Sequence, residues 1–242
     1  MKILALDSSG LVASVALLED DNLTAEYTIQ YKKTHSQTLV PMLEEISGMI
    51  ELDLTTLDAI AVAAGPGSFT GLRIGCATAK GLGQALNKPL IGIPTVDGLA
   101  YNLYGCEKLI CPLMDARRNQ TYTGLYTFEK NEAGYSLKVI RPQCAVALEE
   151  ILEEIEARDR EVIFLGDGVP VFKAQIEERL KVPFCFAPAS CNRQRAAALG
   201  TLALTYLAEG RTQEAGQFQP DYLRLSQAER ERKEGKQREH QN

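Results

Sequence analysis

Two parts of the chain open in the same way. Residues 2–7 (KILALD) and 109–115 (LICPLM, then Asp115) are apolar runs that end on an aspartate at a turn. After the first, residues 11–18 and 23–31 alternate as strands around Asp20-Asp21-Asn22, which reads as a hairpin. A helix follows, with Leu39, Met42, Leu43, Ile46, Met49 and Ile50 at 3.6-residue spacing and Thr34 or Ser36 available to cap it. Pro41 sits either in its first turn or at a kink. Residues 57–64 are then a buried strand running into glycine, 71–86 a helix, and 90–93 a strand. The second half repeats the order: strands at 121–128 and 135–140 around a turn at 131–134, a helix at 147–158, and a strand at 161–165 ending in Gly166-Asp167-Gly168. Helices are predicted at 169–180 and 193–208. A repeated strand, hairpin, helix and strand restricts the chain to two related α/β lobes with a cleft between them.

Tandem duplication of this kind resembles the actin, hexokinase and sugar-kinase superfamily. The expected fold is therefore α/β, an actin-like (ASKHA, ribonuclease H-like) duplicated two-lobe fold. The division expected is residues 1–100 for the N-terminal lobe, 101–225 for the C-terminal lobe, and 226–242 for a charged tail. A chain of 242 residues, 45% of them hydrophobic, suits two such lobes of ~100–120 residues, each able to bury a core. The opening MKILALDSSG is too short for a signal sequence, and no apolar run approaches the ~18 residues a membrane helix needs. The six cysteines form no C-x-x-C pair and read as buried free thiols of a reducing compartment, so the cytoplasm is expected. With 26 Lys and Arg against 32 Asp and Glu, the chain is a poor stand-alone binder of a phosphate backbone. The two histidines, His35 and His240, leave no nucleophilic triad and no clustered metal ligands in view.

Three features could carry chemistry. Gly65-Pro66-Gly67-Ser68-Phe69-Thr70-Gly71 joins a strand to a helix, where glycines permit close backbone approach and a helix N-terminus attracts anions. Its spacing is G-x-G-x-x-x-G rather than a dinucleotide fingerprint, and no Gly-Lys-Ser follows. In the next helix Gly71, Gly75, Ala79 and Gly83 recur every four residues. Glycine inside a helix costs ~1 kcal/mol relative to alanine, so the missing side chains imply close approach of a neighbour. That neighbour is either part of this chain or a partner, with Leu72, Cys76 and Leu82 flanking the stripe. Finally, Asp7 with Ser8 and Ser9, Asp115, and Gly166-Asp167-Gly168 could place a nucleotide across the cleft, or could simply cap turns.

The stretches DAIAVAAGPGSFTGLRIG and AKGLGQALNKPLIGI, with KILALDSS, MDARRNQTY and PDYLRL, resemble the TsaB (YeaZ) family and occur in family order along the whole chain. The resemblance implies a subunit that takes part in making N6-threonylcarbamoyladenosine in tRNA and is related to the catalytic subunit TsaD, both having been classed as M22 glycoproteases. In TsaD two histidines one helical turn apart bind a metal. Here the matching positions are Thr95 and Leu99, and no acid occurs between Glu178 and Glu209 to supply a later ligand. The implied subunit is non-catalytic, with no metal and no intrinsic cofactor, ATP or ADP being confined to subunit junctions. The family pairs through its first two helices, which implies an interface of His35, Leu39, Met42, Leu43, Ile46, Gly71, Leu72, Arg73, Gly75, Cys76 and Ala79, with Arg73 and Lys80 facing acids of the partner. Implied partners are TsaD, TsaE, tRNA through the complex, and a competing homodimer on the same helices. The alternatives are a stand-alone actin-fold ATPase or small-molecule kinase using Asp7, Asp115 and Gly166, and a metallopeptidase, which Thr95 and Leu99 disfavour.

Overall fold

The computed structural model describes residues 1–31, 33–132 and 134–223. In its first half, β1 (Lys2–Asp7), β2 (Ala13–Glu19) and β3 (Asn22–Ile29) precede α1 (His35–Met49), β4 (Ala59–Gly65), α2 (Phe69–Leu86), β5 (Leu90–Pro94) and the short α3 (Thr95–Ala100). The second half runs β6 (Leu109–Asp115), β7 (Gln120–Asn131), β8 (Gly134–Ala147), α4 (Leu148–Arg158), β9 (Val162–Leu165), α5 (Val169–Arg179), β10 (Phe184–Phe186) and α6 (Ala196–Ala208). The two sheets have one topology, β3-β2-β1-β4-β5 and β8-β7-β6-β9-β10. In each, the first three strands are antiparallel and the last two join in parallel. This is the duplicated actin-like α/β architecture that the repeated pattern predicts.

Burial explains why the strands read as continuous apolar runs. On β1, Ile3 to Leu6 are all fully buried, so both faces of the first sheet are covered. Leu4, Leu6, Val15, Leu17, Ile60 and Val62 face α1 and α2, meeting Leu39, Met42, Leu43, Ile46 and Cys76. Ile3, Ala5, Ala16, Leu18, Ala61 and Ile91 face the other way, onto Leu199, Leu202, Ala203 and Tyr206 of α6. The helix that ends the second half thus closes the first sheet. α3 makes the reverse exchange, placing Val96, Leu99 and Ala100 against Ile110, Met114, Tyr126 and Phe128 of the second sheet.

The chain beyond α6 also returns to the first sheet. Leu90 and Gln213 exchange backbone hydrogen bonds of 2.8 Å, and the Asp221 N–H donates to Ala64 O at 2.7 Å. Phe218 is buried in the first core. The expected C-terminal lobe of residues 101–225 is therefore not a single packing unit, because residues 196–221 pack with the N-terminal sheet. The expected tail at 226–242 lies outside the described residues.

Two elements escape periodicity. α3 is under two turns, and β10 has three residues. Pro41 is inside α1 rather than in its first turn. Its missing N–H deprives the carbonyl of Gln37, an exposed position where solvent can serve instead. Thr34 occupies the cap position of α1 without a side-chain cap bond. Met49, in register with the apolar stripe, is 76% exposed. The described cysteines are free, but only Cys76 and Cys111 are buried and Cys185 is exposed.

Gly200 marks where α6 crosses the first sheet. A Cβ there would lie 2.3 Å from Leu18 Cδ1 and 3.0 Å from Ala5 Cβ. Replacing it with leucine overpacks the contact that joins the halves. Gly200→Leu should therefore cost about 1–3 kcal/mol, lowering the thermal midpoint by roughly 2–12 °C, as read by circular dichroism.

Candidate functional site

The strands β1 and β6 each end on an aspartate, and each aspartate closes its own turn. Asp7 is buried, and its Oδ1 accepts hydrogen bonds from the Ser9 backbone N–H (2.9 Å) and the Ser9 hydroxyl (2.7 Å). Asp115 Oδ1 accepts from the Arg117 backbone N–H at 2.8 Å, the same two-residue reach, and its Oδ2 is 3.2 Å from Arg117 Nη1. Burial pushes the Asp7 carboxyl above its usual range, against the lowering effect of the two Ser9 bonds. Burial likewise raises Asp167, although the Asp115 backbone N–H and the Arg193 charge pull it down.

The glycine-rich loops are occupied by the protein itself. Ser68 N–H donates to Ser9 O at 2.7 Å, Gly166 N–H to Asn192 O at 3.0 Å, and Gly168 N–H to Leu113 O at 2.9 Å. A Cβ at Gly67 would lie 2.3 Å from Ser9 O, and one at Gly166 2.1 Å from Leu113 O, which accounts for glycine at both. These three amides are therefore not free for an incoming phosphate. The structure therefore brings Asp7, Ser8 and Ser9 onto the first loop, and Asp115 onto Gly166-Asp167-Gly168, as turns closed by hydrogen bonds. The side chain of Gln194, which no sequence pattern marks, is 1% exposed and lies against Gly10.

The glycine stripe of α2 faces inward. A Cβ on Gly71 would lie 2.0 Å from Ser8 O, one on Gly75 2.6 Å from Ser8 Oγ, and one on Gly83 2.9 Å from Ala215 Cβ and Leu90 Cδ2. Ala79 is fully buried. The close neighbour is therefore the chain's own β1 turn and sheet, which corrects the placement of this stripe at a partner interface. Leu39, Met42, Leu43, Ile46 and Cys76 are corrected for the same reason, being buried in the first core, and Leu72 is 1% exposed. His35 is half-buried and bonds Gly10 O through Nε2 at 2.9 Å. Lys80 is also used internally, donating to Gly216 O and Phe218 O at 3.0 Å each. Arg73 is exposed, with its guanidinium 5.7 Å above the Phe69 ring, which in turn stacks on Tyr222 at 4.5 Å.

The outward face of the helix pair is built from other residues. Val40 is 54% exposed, and a Cβ added to Gly48 or Gly81 would meet nothing within 4 Å among the described residues. Ala77, Gly81 and Ala85 form a second small-residue row at four-residue spacing, all exposed. That row was visible in the sequence, but spacing alone does not say which of two rows meets the sheet.

α3 occupies the positions compared with metal ligands. Thr95 is buried, and its hydroxyl oxygen accepts the Gly65 N–H at 3.2 Å. Leu99 is buried in the second core. Between them, Asp97 accepts the Tyr126 hydroxyl at 2.7 Å, tying α3 to β7.

Two outcomes follow from this geometry. Gly75→Leu forces an isobutyl group into Ser8 and should lower the thermal midpoint of the isolated chain by several degrees, before any partner is added. Asp7→Asn keeps an acceptor for Ser9 while removing a buried charge. Because burial raises the native Asp7 pKa, the charged form costs stability as pH rises above the usual value of 3.8, and that cost is absent below it. Asp7→Asn should therefore match the parent in denaturant melts at pH below 3.8 and equal or exceed it at pH 7.

Comparison with known proteins places this arrangement. A family model described as "TsaD: tRNA N6-adenosine threonylcarbamoyltransferase" matches residues 22–232. The Bacillus subtilis tRNA threonylcarbamoyladenosine biosynthesis protein TsaB is 36% identical over 232 residues, covering 95% of this chain and 96% of that one. The Escherichia coli protein of the same name is 34% identical over 134 residues, 54% of this chain and 57% of that one. The solved structure of YeaZ from Pseudomonas aeruginosa superposes with a TM-score of 0.76 at 29% identity, covering 92% of this chain and 99% of that one. With its duplicated sheets, its GPGSFTGLRIG turn folded onto β1 and this full-length similarity, the chain belongs to the TsaB (YeaZ) family.

Proposed function

We propose that the chain takes part in tRNA threonylcarbamoyladenosine biosynthesis as a non-catalytic pairing subunit that binds TsaD. The observation that carries this reading is the uncovered face of α1 and α2, where Val40, Ala77, Gly81 and Ala85 lie exposed on two helices packed side by side. Small side chains let a partner helix approach closely, and exposed apolar area stabilises association when it leaves water. The wholly internal use of Thr95 and Leu99 supports a role without metal chemistry. TsaE and tRNA are reached through the complex, ATP or ADP belongs to its subunit junctions, and a homodimer competes for the same helices. The cytoplasm is the proposed compartment; the free described cysteines favour it, and no described helix is long and apolar enough to cross a membrane.

The rival reading, a stand-alone ATPase or kinase, meets an obstacle, because the amides of Ser68, Gly166 and Gly168 in the loops that would hold phosphate are already paired. Pairing is tested on the outward row rather than the inward stripe. Ala77→Arg should leave the thermal midpoint of the chain within about 2 °C of the parent, since exposed substitutions rarely exceed ~0.5 kcal/mol. It should also abolish co-elution with TsaD in size-exclusion chromatography. Co-elution at parental affinity would overturn the assignment of this face.

A further inference from the structure

The short segment between Asn192 and Ala197 makes polar contacts to both lobes. On the side of the second lobe, Asn192 O accepts the Gly166 N–H at 3.0 Å, and Arg193 Nη1 donates back to Gly166 O at 2.9 Å. Asn102, in the connection that follows α3, donates its Nδ2 to Arg193 O at 2.7 Å. On the side of the first lobe, Gln194 fills the space beside Gly10, where a Cβ would come within 2.7 Å of its Nε2. Arg195 then pairs with Glu26 of β3, whose side chain is only 10% exposed. The other Glu26 oxygen accepts the Ala197 N–H at 3.0 Å, and Ser14 Oγ of β2 accepts the Ala196 N–H at 2.9 Å. The first two amides of α6 are thus capped by side chains from the opposite half of the sequence.

We infer that Asn192–Ala197 is a bolt that locks the two lobes in one orientation, so that this chain works as a rigid platform and not as a clamp that opens and closes its cleft. The physical basis is directional. Apolar contacts between α6 and the first sheet tolerate sliding, because burial has no preferred angle. Hydrogen bonds and a half-buried ion pair do not, because they weaken steeply when distance or angle changes. The bolt fixes Gly166 to one end of six residues and β2 and β3 to the other, a span too short to absorb a lobe rotation. It also holds Gln194 buried beside Gly10, in the loop that follows β1. This inference does not rest on the proposed pairing with TsaD.

Hydrogen exchange of the full chain, read by mass spectrometry, tests it. In the parent protein, peptides covering 7–12, 164–168 and 192–198 should exchange as slowly as the central strands β1 and β6. If they exchange like surface loops, the lobes move and the inference fails. Arg193→Ala combined with Arg195→Ala removes the bonds made by the segment's own arginines, one to each lobe. It should speed exchange at least tenfold in those three peptides while β1 and β6 stay protected. Unchanged exchange in the double variant would overturn the bolt. Should the double variant lose protection everywhere, Arg195→Ala alone decides, because Arg195 is 40% exposed and its truncation spares the core. That single variant should loosen 192–198 and 7–12, and Arg195→Lys should restore part of the protection.

Discussion

The contact on which the rest of the molecule depends is α6 lying across the first sheet. β1 has no face left for solvent, so something must cover the side that α1 and α2 do not reach. That cover comes from the far end of the chain, and Gly200 lets it approach Leu18 and Ala5 closely. Once α6 is there, the segment before it must cross from the second lobe. The segment after it must then run back along β5 and α2, where Lys80, Phe218 and Tyr222 hold it. The two halves resemble each other in topology, yet neither buries its sheet without a helix from the other.

This interlock recasts the seam. In a two-lobe fold the strand-end turns and glycine loops are where a ligand would sit between moving parts. Here several of their polar groups are used by the protein: Asp7 by Ser9, Ser9 by Ser68, Gly166 by Asn192 and Gly168 by Leu113. A backbone donor that is already paired offers an anion nothing unless the existing bond breaks, so these bonds hold the turns of each lobe in place. Surface chemistry then passes to the helix pair, whose inner row is glycine for the sake of β1 and whose outer row stays uncovered.

Much of this was legible from residues alone. Apolar runs ending in Asp7 and Asp115 located the two central strands, and the repeat they begin predicted both sheets. The apolar stripe Leu39, Met42, Leu43 and Ile46 located α1, and the family resemblance carried by GPGSFTGLRIG was supported along the full chain. What failed was direction. Gly71, Gly75 and Ala79 say that something comes close to α2, and the nearest thing is Ser8. Lys80 reads as a surface cation, and it holds two carbonyls of a segment more than a hundred positions away. Gln194 carries no signal at all, because its role depends on Gly10, a distant loop.

The sequence by itself determined the element types, their duplicated order and the family, since those follow from hydrophobic period, turn residues and local motif spacing, all of which are short-range. Only the tertiary structure decided which row of α2 meets the sheet, which half α6 serves, and how the seam is closed. Those are choices between faces and partners that look alike in spacing, and they are settled by long-range packing and by hydrogen bonds whose two ends lie far apart along the chain.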